Sequence, residues 1–239
     1  MRDYAIKGRL AVATPQANPT VEAEVRRILP DEVDYCTVRL LSESKDPKTR
    51  LIEYLTSLPE TVKSQFSGMK ADTLLFGCTA SSYLTDENTE NEIMAKASEI
   101  LNGAKIVNAA RAIKEYFNQN KINKIGILTP YPEWLQAQAE RYWTEQGFEV
   151  AAIERVDIGT EDTYKIYDLS SKDARPGMMN LIESNCEAIL ISGTGMPSLR
   201  LISEFEQPNK KIISSNYAMT LIGLSYLGLK PRKKTEWLS

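Results

Sequence analysis

The chain has 239 residues, of which 42% are hydrophobic and 26% charged, and a net charge of −3. That is enough ordinary globular sequence to bury a sizeable core, as one large domain or two small ones. It has no basic block suited to nucleic acid or an anionic membrane, and no apolar run long enough to span a bilayer.

The sequence contains no histidine and three cysteines. The commonest general base and the commonest transition-metal ligand are therefore missing. Three scattered cysteines without histidine predict neither a zinc site nor a disulfide framework. Neither a Walker A motif nor GxGxxG occurs, so no nucleotide cofactor is expected. The N-terminus, Met1-Arg2-Asp3-Tyr4, lacks the apolar stretch of a signal peptide, and a cytoplasmic protein is expected. The basic cluster from Lys230 to Lys234 reads as a solvated tail.

Short apolar runs alternate with amphipathic stretches. In chain order the pattern predicts a strand at 10–14, a helix at 19–29, a strand at 35–40 and helices at 49–58 and 60–66. A strand at 73–76, a helix at 87–101, a strand at 105–107 and a helix at 109–117 complete the first half. The second half reads as strands at 124–129, 150–153, 188–192 and 211–214, with helices at 133–146, 176–184, 199–205 and 217–226. Strands apolar throughout are those of parallel sheets covered on both faces, so the fold class is α/β. Asn18 before Pro19 is a helix-start signature.

The chain also repeats itself. At an offset of 115 residues, Arg9-Leu10-Ala11-Val12-Ala13-Thr14-Pro15 falls on Lys124-Ile125-Gly126-Ile127-Leu128-Thr129-Pro130. At the same offset, Asp72-Thr73-Leu74-Leu75-Phe76-Gly77-Cys78-Thr79 falls on Glu187-Ala188-Ile189-Leu190-Ile191-Ser192-Gly193-Thr194. Two similar Rossmann-like lobes, 1–119 and 120–239, related by a pseudo-twofold, are expected. Ligands of such sheets bind beyond the carboxyl ends of the strands. The loops after Thr14, Phe76, Thr129 and Ser192 would then share one cleft.

The repeat aligns Cys78 with Gly193, a thiol in one half against no side chain in the other. Cys78 lies in a hydroxyl-rich loop after a buried strand. Free backbone N–H groups there would lower its pKa and favour a thiolate. Cys36 and Cys186 read as packing residues. Gly193-Thr194-Gly195 can form an anion-binding nest, and Tyr131, between two prolines, can donate to a carboxylate or an enolate. Asn18 can cap a helix, bind ligand or do both. The hydrophilic stretches 42–50 and 159–175 are candidate lids, and Arg50, Lys165, Arg175 and Arg200 are cations available to a substrate carboxylate.

Thr14-Pro15-Gln16-Ala17-Asn18, Phe76-Gly77-Cys78-Thr79, Leu128-Thr129-Pro130-Tyr131, Ile191-Ser192-Gly193-Thr194-Gly195 and Ser215-Asn216-Tyr217-Ala218 together resemble the aspartate/glutamate racemase superfamily. The likeness is to its branch of maleate cis-trans isomerases and arylmalonate decarboxylases. It implies a cofactor-independent enzyme acting on a small carboxylate or dicarboxylate between two lobes. A homodimer is expected only as the commonest assembly of soluble proteins. The isomerases and racemases typically carry two facing cysteines. Here the first matches Cys78 and the second falls on Gly193. The decarboxylases carry the reverse arrangement. The implied carboxylate-binding groups are Asn18, Thr79, the backbone of Ala80, Tyr131, Thr194 and Gly195. A further family asparagine falls on Thr163.

One cysteine suits addition of a thiolate to a maleate-like double bond, with rotation and expulsion. It also suits decarboxylation of a malonate-type acid, with Cys78 protonating the enediolate. The isomerase reading stands first because Cys78-Thr79 with Asn18 resembles that branch. Racemisation needs a second acid–base group and ranks third. A catalytically silent carboxylate-binding protein stays open.

Overall fold

The computed structural model describes residues 3–66 and 68–238. Its first half runs β1 (Gly8–Pro15), α1 (Thr20–Ile28), β2 (Val33–Leu40), α2 (Pro47–Thr56), α3 (Leu58–Gln65), β3 (Thr73–Phe76), α4 (Thr79–Tyr83), α5 (Glu87–Ile100), β4 (Lys105–Asn108) and α6 (Ala109–Gln119). The second half runs β5 (Lys124–Thr129), α7 (Glu133–Glu145), β6 (Glu149–Arg155), a 3-10 turn (Thr163–Asp168), α8 (Ser171–Glu183), β7 (Ala188–Ile191), α9 (Leu199–Glu204), β8 (Lys211–Ser214) and α10 (Ser215–Tyr226).

Each half builds a four-stranded parallel sheet, ordered β2-β1-β3-β4 and β6-β5-β7-β8. The identical order is the three-dimensional form of the sequence repeat. The chain reverses its direction of travel between β1 and β3, and again between β5 and β7. Those are the switch points where open α/β sheets leave a crevice for ligands. The inner strands β3 and β7 are buried at every residue, as their unbroken apolar runs require. Edge strand β2 is partly solvent-facing, and this exposes Cys36, contrary to its reading as a packing residue.

The halves share a core. Helix α10 packs on α6, β3 and β4 of the first sheet. Phe117 of α6 in turn makes edge-on ring contacts with Trp143 and Phe148 of the second half, at centroid distances of 6.0 and 5.4 Å.

Three local features depart from the sequence expectation. Helix α4 was not anticipated, because five residues rich in hydroxyls carry no helical periodicity. Helix α8 starts at Ser171 instead of 176, since Ser170 and Asp173 form a capping box upstream of Pro176. The basic tail is strapped down: Arg232 N–H donates to Ile28 O at 2.8 Å, its guanidinium pairs with Asp31, and Trp237 is fully buried against Tyr217.

Trp143 is buried, and its indole N–H donates to Tyr83 in the first half at 3.0 Å. Trp143→Ala is expected to cost about 3–5 kcal/mol of stability, the usual loss for deleting a large core aromatic. Equilibrium urea unfolding checks this.

Candidate active site

The loops after β1, β3, β5 and β7 meet as expected. Asn18, Cys78, Thr79, Ala80, Tyr131, Gly193, Thr194 and Gly195 line one cavity, together with Thr163, Ile166 and Tyr167 of the candidate lid at 159–175 and with Leu51 and Leu135, which the sequence reading did not select. The cavity holds about 30 Å3, room for roughly two water molecules. A larger cleft of about 700 Å3, bordered by Tyr83 and lined by Glu90, Arg111 and Lys114 among others, has no cysteine in its wall.

Cys78 occupies the cap position of α4, with extended backbone, and is 3% exposed. Burial pushes its thiol above the ordinary value. The Ser81 side chain and the N–H groups of Ser81 and Ala80 beside it pull the other way without prevailing. The expected backbone donors are therefore present, but the expected lowering of the thiol pKa is not, because desolvation of the anion outweighs them. The hydroxyl of Ser81 donates to Leu51 O at 2.6 Å.

Asn18 both caps and faces the site. Its Oδ1 accepts from Thr20 N and Val21 N at 2.9 and 3.3 Å, just ahead of a helix that begins at Thr20. That fixes the amide so that Nδ2 points across the cleft to Thr194 Oγ1, at 3.2 Å. The Thr194 hydroxyl donates to Gly77 O at 2.9 Å. With its proton bound to the opposite lobe, Thr194 has no hydroxyl to lend to substrate and cannot serve as a second base. What remains to it is its backbone N–H. The N–H groups of Thr194 and Gly195 have no protein acceptor among the described residues.

Tyr131 is buried, and its phenol stays protonated. Burial raises its pKa well above the usual value and Tyr83 nearby adds to this, against weaker opposing contacts to Ser192 and Thr79. The Thr79 hydroxyl is buried without a hydrogen-bond partner. The wall opposite Cys78 is bare for a structural reason. Gly193 has φ +106°, and a Cβ there would lie 3.3 Å from Pro130 and 3.4 Å from Tyr131. At Gly195 a Cβ would fall 2.6 Å from the ring of Tyr167, so this aromatic lies directly on the turn.

The roof, 159–168, is the first part of the expected lid at 159–175; from Ser171 onward that stretch is helix α8. Arg50, reaching from α2, holds it down: Nη2 contacts Asp162 Oδ1 at 2.6 Å and Thr163 Oγ1 at 3.1 Å, and the guanidinium lies 3.8 Å from the Tyr164 ring centroid. Gln16 Nε2 donates to Tyr164 at 2.7 Å. Of the four candidate cations only Arg50 comes near the cavity. Lys165 and Arg175 pair with Asp168 and Glu204, and Arg200 stands exposed near Glu204. Sequence reading missed Glu24 altogether. This carboxylate, 5% exposed, joins α1 to the start of α9, accepting from Ser198 N and Leu199 N at 2.5 and 3.0 Å.

A buried cysteine, neutral hydroxyl and phenol donors and a glycine-rich turn face each other between two repeated α/β lobes. The chain belongs to the arylmalonate decarboxylase family, whose model matches residues 10–236. It is 22% identical to the maleate isomerase of Pseudomonas putida over 93% of both chains. A solved Pseudomonas putida maleate isomerase, a cysteine-to-alanine form with maleate, superposes with a TM-score of 0.81 at 19% identity, covering 93% of this chain and 92% of that one. The maleate cis-trans isomerase of Nocardia farcinica, a cysteine-to-serine mutant with a covalently bound succinylcysteine intermediate, gives 0.78 at 17% identity, with 94% and 97% covered. These likenesses establish the fold.

Two outcomes follow. In the ligand-free protein Cys78 is expected to alkylate with iodoacetamide more slowly than exposed Cys36, reacting only as the pH rises beyond the ordinary thiol pKa of about 8.5. Peptide mass mapping against pH checks this, and rapid labelling of Cys78 near neutral pH would contradict it. Gly193→Cys is expected to lose about 1–3 kcal/mol in urea unfolding, the usual strain of a side chain at positive φ. An unchanged midpoint would show that the turn accepts a second thiol freely.

Proposed function

We propose that the chain is a cofactor-independent isomerase of the maleate cis-trans type, using Cys78 as its single nucleophile on a small cis-dicarboxylate. The observation that carries this is the position of Cys78. It is the one thiol in a cavity whose other polar groups are neutral donors suited to carboxylate and enediolate oxygens. The Nocardia farcinica relative, with a cysteine replaced by serine, holds a covalent succinylcysteine, so in that fold a C–S bond forms even with one cysteine replaced.

The chemistry follows from a thiol that burial keeps protonated. Sulfur adds to one carbon of the double bond, forming a C–S bond and breaking the π bond. The electron pair moves into the carboxylate on the other carbon, and the thiol proton passes to an oxygen of that same carboxylate. The resulting enediolate accepts from Thr79, Tyr131 and the N–H groups of Thr194 and Gly195. Rotation about the new single bond and expulsion of sulfur, which recovers its proton, give the trans product. The cavity lies under the segment that Arg50 latches, and lifting of that segment is the proposed route of substrate entry.

One observation favours a second reading. A thiol held in the S–H form suits Cys78 as the proton donor after decarboxylation of a malonate-type acid. Racemisation is disfavoured, because Gly193 carries no group and the Thr194 proton is committed to Gly77.

Proton NMR on maleate separates the two main readings: fumarate is expected, whereas carbon dioxide from a malonate would favour the decarboxylase. Cys78→Ala is expected to lower turnover at least about a thousandfold, as for loss of a nucleophile, while dicarboxylate binding measured by calorimetry persists. Retained turnover would overturn the assignment.

A further inference from the structure

The Thr194–Gly195 peptide is held from behind by side chains that do not line the cavity. Asn216, at the start of α10, donates one amide hydrogen to Glu24 Oε2 at 2.8 Å and the other to Thr194 O at 3.0 Å. Its side-chain Oδ1 is buried without a partner, so these two donations are the whole of the side chain's hydrogen bonding. Thr20 on α1 donates to Gly195 O at 2.7 Å. Glu24 also accepts from Ser198 Oγ at 2.8 Å.

A trans peptide points its C=O and its N–H in opposite directions. With Thr194 O drawn toward Asn216, the Gly195 N–H faces away from Asn216, and Gly195 lines the cavity. An amide NH2 has two hydrogens and bridges two acceptors. Here one acceptor comes from the first half of the chain and the other from the second. Docking of the lobes and aiming of the donor are therefore a single event.

We propose that Asn216 and Glu24 are positioning residues: through the Asn216–Thr194 bond they set the direction of the Gly195 N–H that receives the enediolate oxygen. This rests on the reading of that N–H as an oxyanion donor. Neither residue touches substrate. Their effect is exerted on the geometry of the turn.

The test uses full-length protein labelled with 15N-glycine and titrated with malonate and with maleate. In the wild type the Gly195 amide proton is expected to move downfield at saturation. In Asn216→Ala, which leaves Glu24 its Ser198 and Leu199 donors, that shift is expected to fall by more than half. Turnover should drop about 10- to 100-fold, less than deleting a donor outright, with KM within about threefold. Glu24→Gln, which presents an NH2 to a site built of donors, is expected to act in the same direction. Phe148→Leu, in the aromatic cluster apart from these hydrogen bonds, is the structural control, expected to lower the melting temperature while sparing both the shift and kcat. An Asn216→Ala variant with the wild-type shift and kcat would overturn the proposal and leave the active-site reading standing. A wild-type Gly195 amide that responds to neither ligand would remove the oxyanion reading and the proposal with it.

Discussion

The site depends on one hydrogen bond between the halves of the chain, from the Thr194 hydroxyl to the Gly77 carbonyl at 2.9 Å. It joins the residue before the cysteine to the turn opposite it. Around it lie the Asn18 amide, the Thr20 hydroxyl and the buried Glu24 carboxylate, all reaching from the first half into the loops after β7. Buried polar groups are stable only when paired. Separating the lobes would orphan several of them at once, and this holds the cysteine in register with its donors. The shared aromatic cluster of Phe117, Trp143 and Phe148 adds apolar burial to the same junction.

That closeness has an electrostatic consequence. The same burial that assembles the donors removes water from the sulfur, and among the described residues no charged side chain lines the cavity to compensate. The guanidinium of Arg50 is engaged by Asp162. The carboxyl of Asp162, though burial pushes it up, ends below its usual value through the Tyr164 N–H and Arg50. A group lowered in this way contributes above its unfolded pKa, and the contribution is lost only as pH falls through the folded value. The roof latch therefore holds at neutral pH and weakens in acid, below the ordinary aspartate range of about 3.9. A neutral thiol under a latched roof gives a reason for the proton of Cys78 to travel with the reaction and not ahead of it.

Much of this was legible in the sequence, for identifiable reasons. The 115-residue offset between Arg9–Pro15 and Lys124–Pro130 reports two copies of one strand–loop unit, and the structure returns two sheets of identical order. Parallel strands deliver their following loops to one edge, so the eight residues selected around Cys78 and Gly193 do meet. What stayed hidden depended on distant partners. Glu24 reads as an ordinary helical surface charge until Ser198, Leu199 and Asn216, more than 170 residues away, close around it. Arg50 looks like any surface cation until Asp162 and Tyr164 cover it. The thiol pKa went in the wrong direction because local sequence shows the donors beside Cys78 but not how completely the second lobe excludes water.

The central claim is that Cys78 bonds covalently to its substrate. The most direct measurement is mass spectrometry of protein acid-quenched during turnover of maleate, followed by peptide mapping. The account predicts an added mass of one dicarboxylate on the peptide containing Cys78, and none on those containing Cys36 or Cys186. Sustained turnover with Cys78 unmodified at every quench time, or with the adduct on either of the other cysteines, would contradict it.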